Sequence, residues 1–272
     1  MKNLSNENII HVKREGLEYI QFKRLLEYKN IKHCFTLKPL DFAGNSSYEE
    51  KKEKVEEGLK LLSEEIGFNV KDICRAKQTH TDIVEKVEDG DEGIYISKFD
   101  NVDGLITDKA NKVLMLSFAD CTPLLFYDPV KNVIANTHSG WKGTLKSIGL
   151  KTVEKMKKEY ACNPEDIICC IGPHIRKCHF EVDEDVKNLF YNEFKDKINI
   201  KDCIEPSNNL LHPNKYYIDT LKINKEILLK IGLKEENIID SNICTVCNYD
   251  VCHSYRAEKD LSGRAVTIIE LI

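Results

Sequence analysis

The chain has 272 residues, of which 42% are hydrophobic, and a formal net charge of −5. Charges of both signs are mixed and no basic patch stands out, which argues against nucleic acid as a partner. No apolar run approaches the ~20 residues that span a bilayer, so we expect no membrane partner. No linker rich in Pro, Gly or Ser divides the chain, and we expect a single domain over residues 1–272.

Cysteine is unusually frequent, with eleven residues, which is also an odd number. A secreted protein with so many cysteines is normally short and linked by disulfides. This chain is long, and its N-terminus shows no apolar region of the kind found in secretory signals. We therefore expect reduced thiols in a cytoplasmic protein. The sequence does not indicate an oligomeric state.

The predicted elements alternate irregularly between strands and helices. Residues 1–30 are assigned to an N-terminal strand region. Apolar runs predict strands at 18–25, 31–37, 83–87, 113–118, 124–127, 133–136, 167–171, 238–243 and 265–271. Helical periodicity predicts helices at 48–66, 143–160, 181–194 and 221–231, and residues 44–48 carry a strong loop signal. The pattern favours an α+β (irregular α/β) fold with mixed β-sheets packed between helices over a regular βαβ array.

The strands at 124–127 and 133–136 form a predicted hairpin around a turn that begins at Asp128-Pro129. If the turn is centred between Pro129 and Val130, antiparallel pairing places Cys121 opposite His138. Directly opposed Cβ atoms lie ~5 Å apart. A thiolate and an imidazole at that spacing can share a metal ion, or act as a nucleophile and its base.

A third candidate, His80, lies in a polar loop before the strand at 83–87. Together with Cys121 and His138 it makes a His/Cys/His set. Three N/S ligands with a fourth position open are the pattern of a catalytic zinc site, whose bound water ionises near pH ~7. The ligands are 41 and 17 residues apart, so the fold must bring them together. The alternatives are a solvated histidine and a small buried cysteine.

Other cysteines and histidines cluster near the C-terminus. Cys244 and Cys247 form a C-x-x-C pair, and Cys252-His253 follows. The second pair expected at zinc-finger distance is absent, so we favour unpaired structural thiols over a metal site. The same interpretation applies to Cys169-Cys170 and to Cys178-His179.

Residues suited to an anionic substrate are also present. Glycines flank Trp141-Lys142 where a strand leads into a helix, an arrangement that allows close backbone approach and favours anions. Cationic side chains would serve the same purpose, although surface charge is the simpler interpretation for each one alone. The candidates are Gly140, Gly143, Lys38, Arg256 and Arg264.

Seven motifs occur in an order that covers roughly residues 30 to 272. They are Gln78-Thr79-His80, Asp103-Gly104-Leu105-Ile106-Thr107-Asp108, Ala119-Asp120-Cys121-Thr122-Pro123, His138-Ser139-Gly140-Trp141-Lys142-Gly143-Thr144, Ile171-Gly172-Pro173-His174-Ile175, Phe180-Glu181-Val182 and Ser254-Tyr255-Arg256. Together they resemble the YfiH/YlmD-like laccase-domain family, also called polyphenol oxidase or purine nucleoside phosphorylase family proteins. Seven ordered motifs are far more specific than any one of them.

The resemblance implies a single α/β-type domain with zinc bound by His80, Cys121 and His138. It also implies purine nucleosides and phosphate as substrates. The implied reactions are phosphorolysis of adenosine, inosine, guanosine and methylthioadenosine, and deamination of adenosine. An older label for the family is copper-dependent laccase. Multicopper oxidases need around ten histidine-rich ligand positions, and this chain has eight histidines, so copper is less expected than zinc.

Roles for further residues follow from these reactions. In deamination, water activated by the metal would attack C6 of adenine while Asp120 passes protons. In phosphorolysis, phosphate held by the metal, Lys38, Arg256 and the amides of residues 140–143 would attack C1′ of the ribose. Gly140 and Trp141 complete the expected substrate site.

Two features depart from the family pattern. Lys38 stands where the family has arginine, which would change the binding of phosphate or ribose, and Cys252-His253 replaces an aromatic pair, which would alter the base pocket. Two alternative functions fit the same candidate residues. A metal-free hydrolase with Cys121 as nucleophile and His138 as base is one alternative. A zinc-stabilised binding module without turnover is another.

Overall fold

The computed structural model describes residues 2–43, 49–94, 97–207 and 214–272. The described strands are, in chain order, β1 (Ile9–Arg14), β2 (Leu17–Phe22), β3 (Ile31–Thr36), β4 (Ile73–Lys77), β5 (Val84–Lys86), β6 (Phe99–Asp100), β7 (Gly104–Thr107), β8 (Val113–Phe118), β9 (Thr122–Asp128), β10 (Val133–Ser139), β11 (Ile168–Ile171), β12 (Glu181–Asp183), β13 (Ile204–Pro206), β14 (Lys215–Ile218), β15 (Ile238–Asp240) and β16 (Ala265–Leu271). The described α-helices are α1 (Lys23–Leu26), α2 (Glu49–Ile66), α3 (Trp141–Leu145), α4 (Ile148–Tyr160), α5 (Glu184–Phe194), α6 (Thr220–Ile231) and α7 (Tyr255–Glu258).

The strands form three sheets. A seven-stranded sheet has the order β1-β2-β3-β16-β8-β4-β6, and a six-stranded sheet has the order β15-β11-β9-β10-β7-β5. Both are mixed, since β4 is parallel to β8 and β6, and parallel pairs (β11 with β15, β7 with β5) close the two ends of the second sheet. The third sheet, β12-β14-β13, is antiparallel. The predicted α+β class with mixed sheets is confirmed.

The two large sheets pack face to face over one apolar core. Asn136 of β10 donates to the Leu114 carbonyl of β8 at 2.9 Å and accepts from the Thr267 hydroxyl of β16 at 2.8 Å, so a buried amide ties the sheets together. Helix α2 covers the outer face of the seven-stranded sheet with Val55, Leu59 and Leu62, as its periodicity predicted. Helices α4 and α6 cover the six-stranded sheet. Because both faces of the central strands are covered, β9, β10 and β16 are buried along their whole length and are mostly apolar.

Several predicted elements differ from the structure. The strand predicted at 238–243 ends at Asp240, and the one predicted at 133–136 continues to Ser139. The helix predicted at 143–160 is two helices, α3 and α4, because Ser147 between them adopts a left-handed φ of 59° that interrupts the helical path. The helix predicted at 181–194 begins only at Glu184, since its first three residues pair with β14. The strand predicted at 18–25 ends at Phe22, where α1 begins. The predicted loop at 44–48 lies outside the described residues.

The hairpin forms, but its register differs from the prediction by two residues. His138 pairs with Pro123 rather than Cys121. The turn is centred one residue later, because the Asp128 carboxylate accepts from the amides of Val130 and Lys131 at 2.8 and 2.9 Å. A shift of two residues keeps the same face of the strand, so Cys121 still lies on the side of His138.

Candidate metal centre

The fold brings His80, Cys121 and His138 together where the two large sheets meet. His80 lies in the loop after β4, Cys121 lies where the chain passes from β8 to β9, and His138 lies near the end of β10. Their ligand atoms are all within 4.8 Å of one another. Cys121 Sγ is 3.6 Å from His80 Nε2, and the two imidazole rings are 4.9 Å apart at an angle of 77°.

A buried carboxylate, Asp103, orients two of these three residues. Its Oδ1 accepts from His138 Nδ1 at 2.7 Å and from the backbone amide of His80 at 3.1 Å. Its Oδ2 accepts from the amide and the hydroxyl of Thr81, both at 2.7 Å. Since Nδ1 of His138 is engaged, its Nε2 is the nitrogen left to face Cys121, as in the carboxylate–histidine–metal arrangement. Asp103 belongs to one of the seven sequence motifs, but the sequence pattern indicates no role for it.

Gly140 is required by the close approach of the ligands. A Cβ at this position would lie 2.5 Å from His80 Cδ2 and 3.1 Å from Cys121 Sγ. Both separations are shorter than van der Waals contact, so any larger residue would displace a ligand. Gly140 also caps α3, but that helix has only five residues. The structure therefore explains this glycine by the lack of room for a side chain beside His80 and Cys121.

The charges of Cys121, His138 and Asp103 stabilise one another. Burial raises the pKa of the Cys121 thiol, but the neighbouring imidazoles outweigh it and lower the pKa to about 6. Burial lowers the pKa of His138, whereas the Cys121 and Asp103 charges raise it to about 9. Burial likewise opposes ionisation of Asp103, yet its hydrogen bonds bring its pKa down to about 2. The site thus favours a thiolate beside oriented imidazoles, which is a donor set able to hold a metal ion.

The three residues open onto a cavity of about 1190 Å³, slightly above the usual size range of small-molecule sites. Three guanidinium groups and several aromatic rings line it together with the candidate ligands. These lining residues are Arg75, Arg256, Arg264, Phe42, Trp141, Phe180 and Tyr255.

Asp120 is buried, and its carboxylate is engaged by neighbouring loops. Oδ1 accepts from the hydroxyls of Thr245 and Ser254 at 2.6 and 2.7 Å, and Oδ2 accepts from the Arg256 amide at 2.6 Å. Because donors from Thr245, Ser254 and Arg256 all bind to it, the Asp120 carboxylate holds these segments together. These contacts favour a positioning role for Asp120 over the proton transfer expected from the sequence.

The cationic candidates differ in their surroundings. Arg256 lines the cavity and donates to the carbonyls of His179 and Glu181 at 2.9 and 3.2 Å. Lys38 is absent from the cavity lining, and its ammonium is paired with Glu258 at 2.6 Å. Trp141 also faces the cavity. The structure therefore places Arg256 and Trp141, but not Lys38, where a substrate could contact them.

The C-terminal group of cysteines and histidines separates in space. Cys252 and His253 are buried, and His253 Nε2 is 2.7 Å from the Leu40 carbonyl. Cys244 and Cys247 instead lie beside Cys178-His179.

Within the described part of the chain, no helix combines the length and the apolar character needed to cross a bilayer.

Comparison with known proteins places this architecture in a family. The family model described as multi-copper polyphenol oxidoreductase laccase matches residues 40–272. The purine nucleoside phosphorylase YlmD of Bacillus subtilis is 34% identical over 198 residues, which cover 71% of this chain and 69% of that protein. A purine nucleoside phosphorylase of Clostridium acetobutylicum is 35% identical over 206 residues, which cover 74% of this chain and 78% of that protein.

Solved structures show the same fold. The hypothetical protein YfiH of Bacillus licheniformis matches with a TM-score of 0.83 and 27% identity, covering 93% of this chain and 96% of that one. YlmD from Geobacillus stearothermophilus matches with a TM-score of 0.87 and 24% identity, covering 97% and 99%. The resemblance drawn from the seven motifs is thereby confirmed, and the chain belongs to the multi-copper polyphenol oxidoreductase laccase family.

Proposed function

We propose that this protein is a zinc-dependent purine nucleoside phosphorylase. Its substrates would be phosphate and adenosine, inosine, guanosine or methylthioadenosine, and its products the free purine and the sugar 1-phosphate. The observation that carries the proposal is the three-donor group in a large cavity lined by guanidinium groups and aromatic rings. Relatives named purine nucleoside phosphorylase support this class of reaction.

Zinc suits the donor set of His80, Cys121 and His138. One thiolate and two imidazoles are ligands that zinc prefers, and three protein ligands leave one coordination position for chemistry. Asp103 supports the choice because an outer carboxylate raises the basicity of a ligating imidazole. When bound, the ion would supply a Lewis acid and an activated water. A multicopper reading is less favoured, since these three donors form one small group rather than several histidine-rich sites.

Arg256 and Arg264 are suited to hold the phosphate. Both guanidinium groups are fixed by backbone carbonyls: Arg256 by residues 179 and 181, and Arg264 by residues 262 and 263. Neither group takes part in any of the ion pairs found among the described residues. A guanidinium has five N–H donors, and those not used by the carbonyls remain for an oxyanion. Fixed cations of this kind bind an anion with little further ordering.

The reaction exchanges one bond at C1′ of the sugar for another. A phosphate oxygen forms a bond to C1′ while the bond from C1′ to the purine nitrogen breaks. The purine leaves with the bonding electron pair and takes up a proton. Aromatic rings of the cavity such as Trp141 and Phe180 offer apolar surfaces against which a purine can pack. The protein's part in this step is to hold phosphate and nucleoside in line and to exclude water.

Adenosine deamination is a second candidate activity of the same centre. The observation in its favour is that the three donors face the cavity and occupy only three positions of a tetrahedral ion. Water would add to C6 of adenine, ammonia would leave, and inosine would form. This reaction needs no phosphate, which separates it from phosphorolysis in an assay.

A metal-free hydrolase is the main rival. Cys121, His138 and Asp103 are also arranged as a nucleophile, a base and an orienting carboxylate. The second imidazole, 3.6 Å from the thiol, has no role in such a triad but is a natural metal ligand. A zinc-binding module without turnover would bind the ion equally well, so metal content and activity must both be measured.

The deciding experiment incubates zinc-replete protein with each nucleoside, with and without phosphate, and separates the products by chromatography. We expect release of purine and sugar 1-phosphate that depends on phosphate. Cys121→Ala should lose this activity and should also lose one zinc ion per chain. Cys203→Ala, which removes a buried thiol outside the metal groups, is the matched control. Conversion of none of the nucleosides by the zinc-loaded protein would overturn the proposal. Cleavage of the nucleoside that needs neither phosphate nor any bound metal would favour the hydrolase.

A further inference from the structure

A second group of metal-binding side chains lies outside the proposed active site. It consists of Cys178, His179, Cys244 and Cys247, and we call it the Cys₃His cluster. The three sulfur atoms and one imidazole nitrogen all lie within 4.8 Å of one another. Two backbone segments supply the donors in pairs, although they are 65 residues apart in the chain. The sequence favours unpaired thiols here because no second pair follows at zinc-finger distance, whereas the fold supplies the second pair from Cys178-His179.

Four of the five donor separations lie within about 0.2 Å of those around a tetrahedral zinc ion, and the fifth, between the adjacent residues Cys178 and His179, is about 0.5 Å shorter. The Cys178 sulfur is 3.6 Å from that of Cys244 and 3.8 Å from that of Cys247. His179 Nδ1 is 3.1, 3.7 and 3.5 Å from the sulfurs of Cys178, Cys244 and Cys247. With Zn–S near 2.3 Å and Zn–N near 2.05 Å, a tetrahedron requires about 3.8 Å between sulfurs and about 3.6 Å between nitrogen and sulfur. A disulfide would instead need about 2.05 Å, so these thiols are not bonded to each other.

Backbone contacts fix the cluster from outside. Asn248 Nδ2 donates to the Cys244 carbonyl at 2.7 Å, and the Thr245 amide donates to the His174 carbonyl at 3.0 Å. Hydrogen bonds to the chain around a ligating residue are outer-shell support of the kind that protein metal sites use. The two segments are therefore held in a ligating arrangement by their own backbone.

We propose that the Cys₃His cluster is a second zinc site, structural rather than catalytic. Four protein donors close the coordination sphere and leave no position for a substrate. The cluster joins the loop after β11 to the loop after β15. The first loop lines the cavity with Ile175 and Phe180, and the second leads into α7, which carries Arg256. His179, a cluster member, accepts from the Arg256 guanidinium through its carbonyl at 2.9 Å. Thr245, between the two C-x-x-C cysteines, donates to Asp120 at 2.6 Å. The second ion thus positions Arg256 and the segment that carries Cys121.

Metal analysis of purified protein tests the stoichiometry. We expect two zinc ions per chain in the unaltered protein, and one in each of Cys178→Ser, Cys247→Ser and Cys121→Ala, while Cys203→Ser keeps both. Combining Cys178→Ser with Cys121→Ala should remove both ions. A zinc content unchanged by Cys178→Ser and Cys247→Ser would overturn the second site. Because each site is read by its own variants, failure of the nucleoside assay leaves this result intact.

Thiol alkylation tests the same site in the unaltered protein, where folding of a variant is not at issue. Cys178 and Cys247 are both exposed, so free thiols at these positions should react readily. We expect them to be protected in the zinc-replete protein and to react after a chelator removes the metal, with peptide mass spectrometry assigning each position. Equal reactivity before and after chelation would refute the proposal. A disulfide between any two cluster cysteines in freshly purified protein would refute it as well.

Discussion

Replacing Asp103 by asparagine tests whether one buried carboxylate organises the metal centre. Its two oxygens accept five hydrogen bonds, from His138 Nδ1, the amides of Thr79, His80 and Thr81, and the Thr81 hydroxyl. In Asp103→Asn an NH₂ group replaces one oxygen and faces donors. If the asparagine oxygen stays towards His138, the Thr79 and Thr81 amides lose their acceptor. If it turns away, His138 Nδ1 must accept instead, and its Nε2 then carries the proton and cannot bind a metal.

The size of the effect follows from these contacts. A buried donor without a partner costs about 1–3 kcal/mol, so two such amides cost about 2–6 kcal/mol. Thr79 is exposed and Thr81 partly exposed, which lets water compensate in part. We therefore expect the free energy of unfolding of the metal-free protein to fall by about 2–3 kcal/mol. Loss of an outer-shell partner should also weaken zinc binding by about 10–100-fold.

Urea unfolding in the presence of a chelator measures the stability change, and competition with a zinc indicator measures the affinity. Asp89→Asn is the matched control, because Asp89 is 83% exposed and pairs with Lys112 at 3.0 Å. Such an exposed pair contributes about 0–1 kcal/mol. The reasoning fails if Asp103→Asn unfolds like the control and binds zinc within about twofold of the unaltered protein.

Three further predictions concern space, phosphate binding and pH. Gly140→Ala should lower activity at least about tenfold with loss of one zinc, because its Cβ would lie 2.5 Å from a ligand ring. Arg256→Met should raise the KM for phosphate at least about tenfold, whereas Lys38→Met should leave it within about twofold. Burial holds the pKa of His33 at about 3, against an ordinary value of 6.5. Below pH 6.5 the unfolded state therefore binds a proton at this imidazole that the folded state does not bind. As the pH falls from 6.5, the free energy of unfolding should decrease by up to about 1.4 kcal/mol per pH unit.

Each of these predictions has its own control and refuting result. Gly58→Ala, whose Cβ would meet atoms no closer than 3.4 Å, should keep both zinc and activity; equal behaviour of the two glycine variants contradicts the steric argument. Lys38→Met is the control for Arg256→Met, and a larger KM increase in the lysine variant would restore the role expected from the sequence. His33→Gln keeps an acceptor for the Phe22 amide but cannot titrate, so a pH profile parallel to that of the unaltered protein argues against the histidine.

Much of the fold was predictable where burial on both faces imposes a simple pattern. The strands at 113–118 and 265–271 were predicted with the observed bounds, because continuous apolar runs mark strands covered on both sides. Strands β4 and β7 were missed. Their sequences, ICRAK and GLIT, carry little periodicity. β4 is a strand because it pairs with β8 and β6 on its two sides, and β7 because it pairs with β10 and β5.

The amino-acid sequence alone determined which side chains can bind a metal and which face of the hairpin Cys121 and His138 share, because strand alternation is a local property. It also carried the ordered motifs of the family. Only the tertiary structure decided that Asp103 orients His138, that Lys38 is paired with Glu258, and that Cys178 meets Cys244. Those contacts join residues 35, 220 and 66 positions apart, and distances of that kind are set by how sheets and loops pack, which no local pattern encodes.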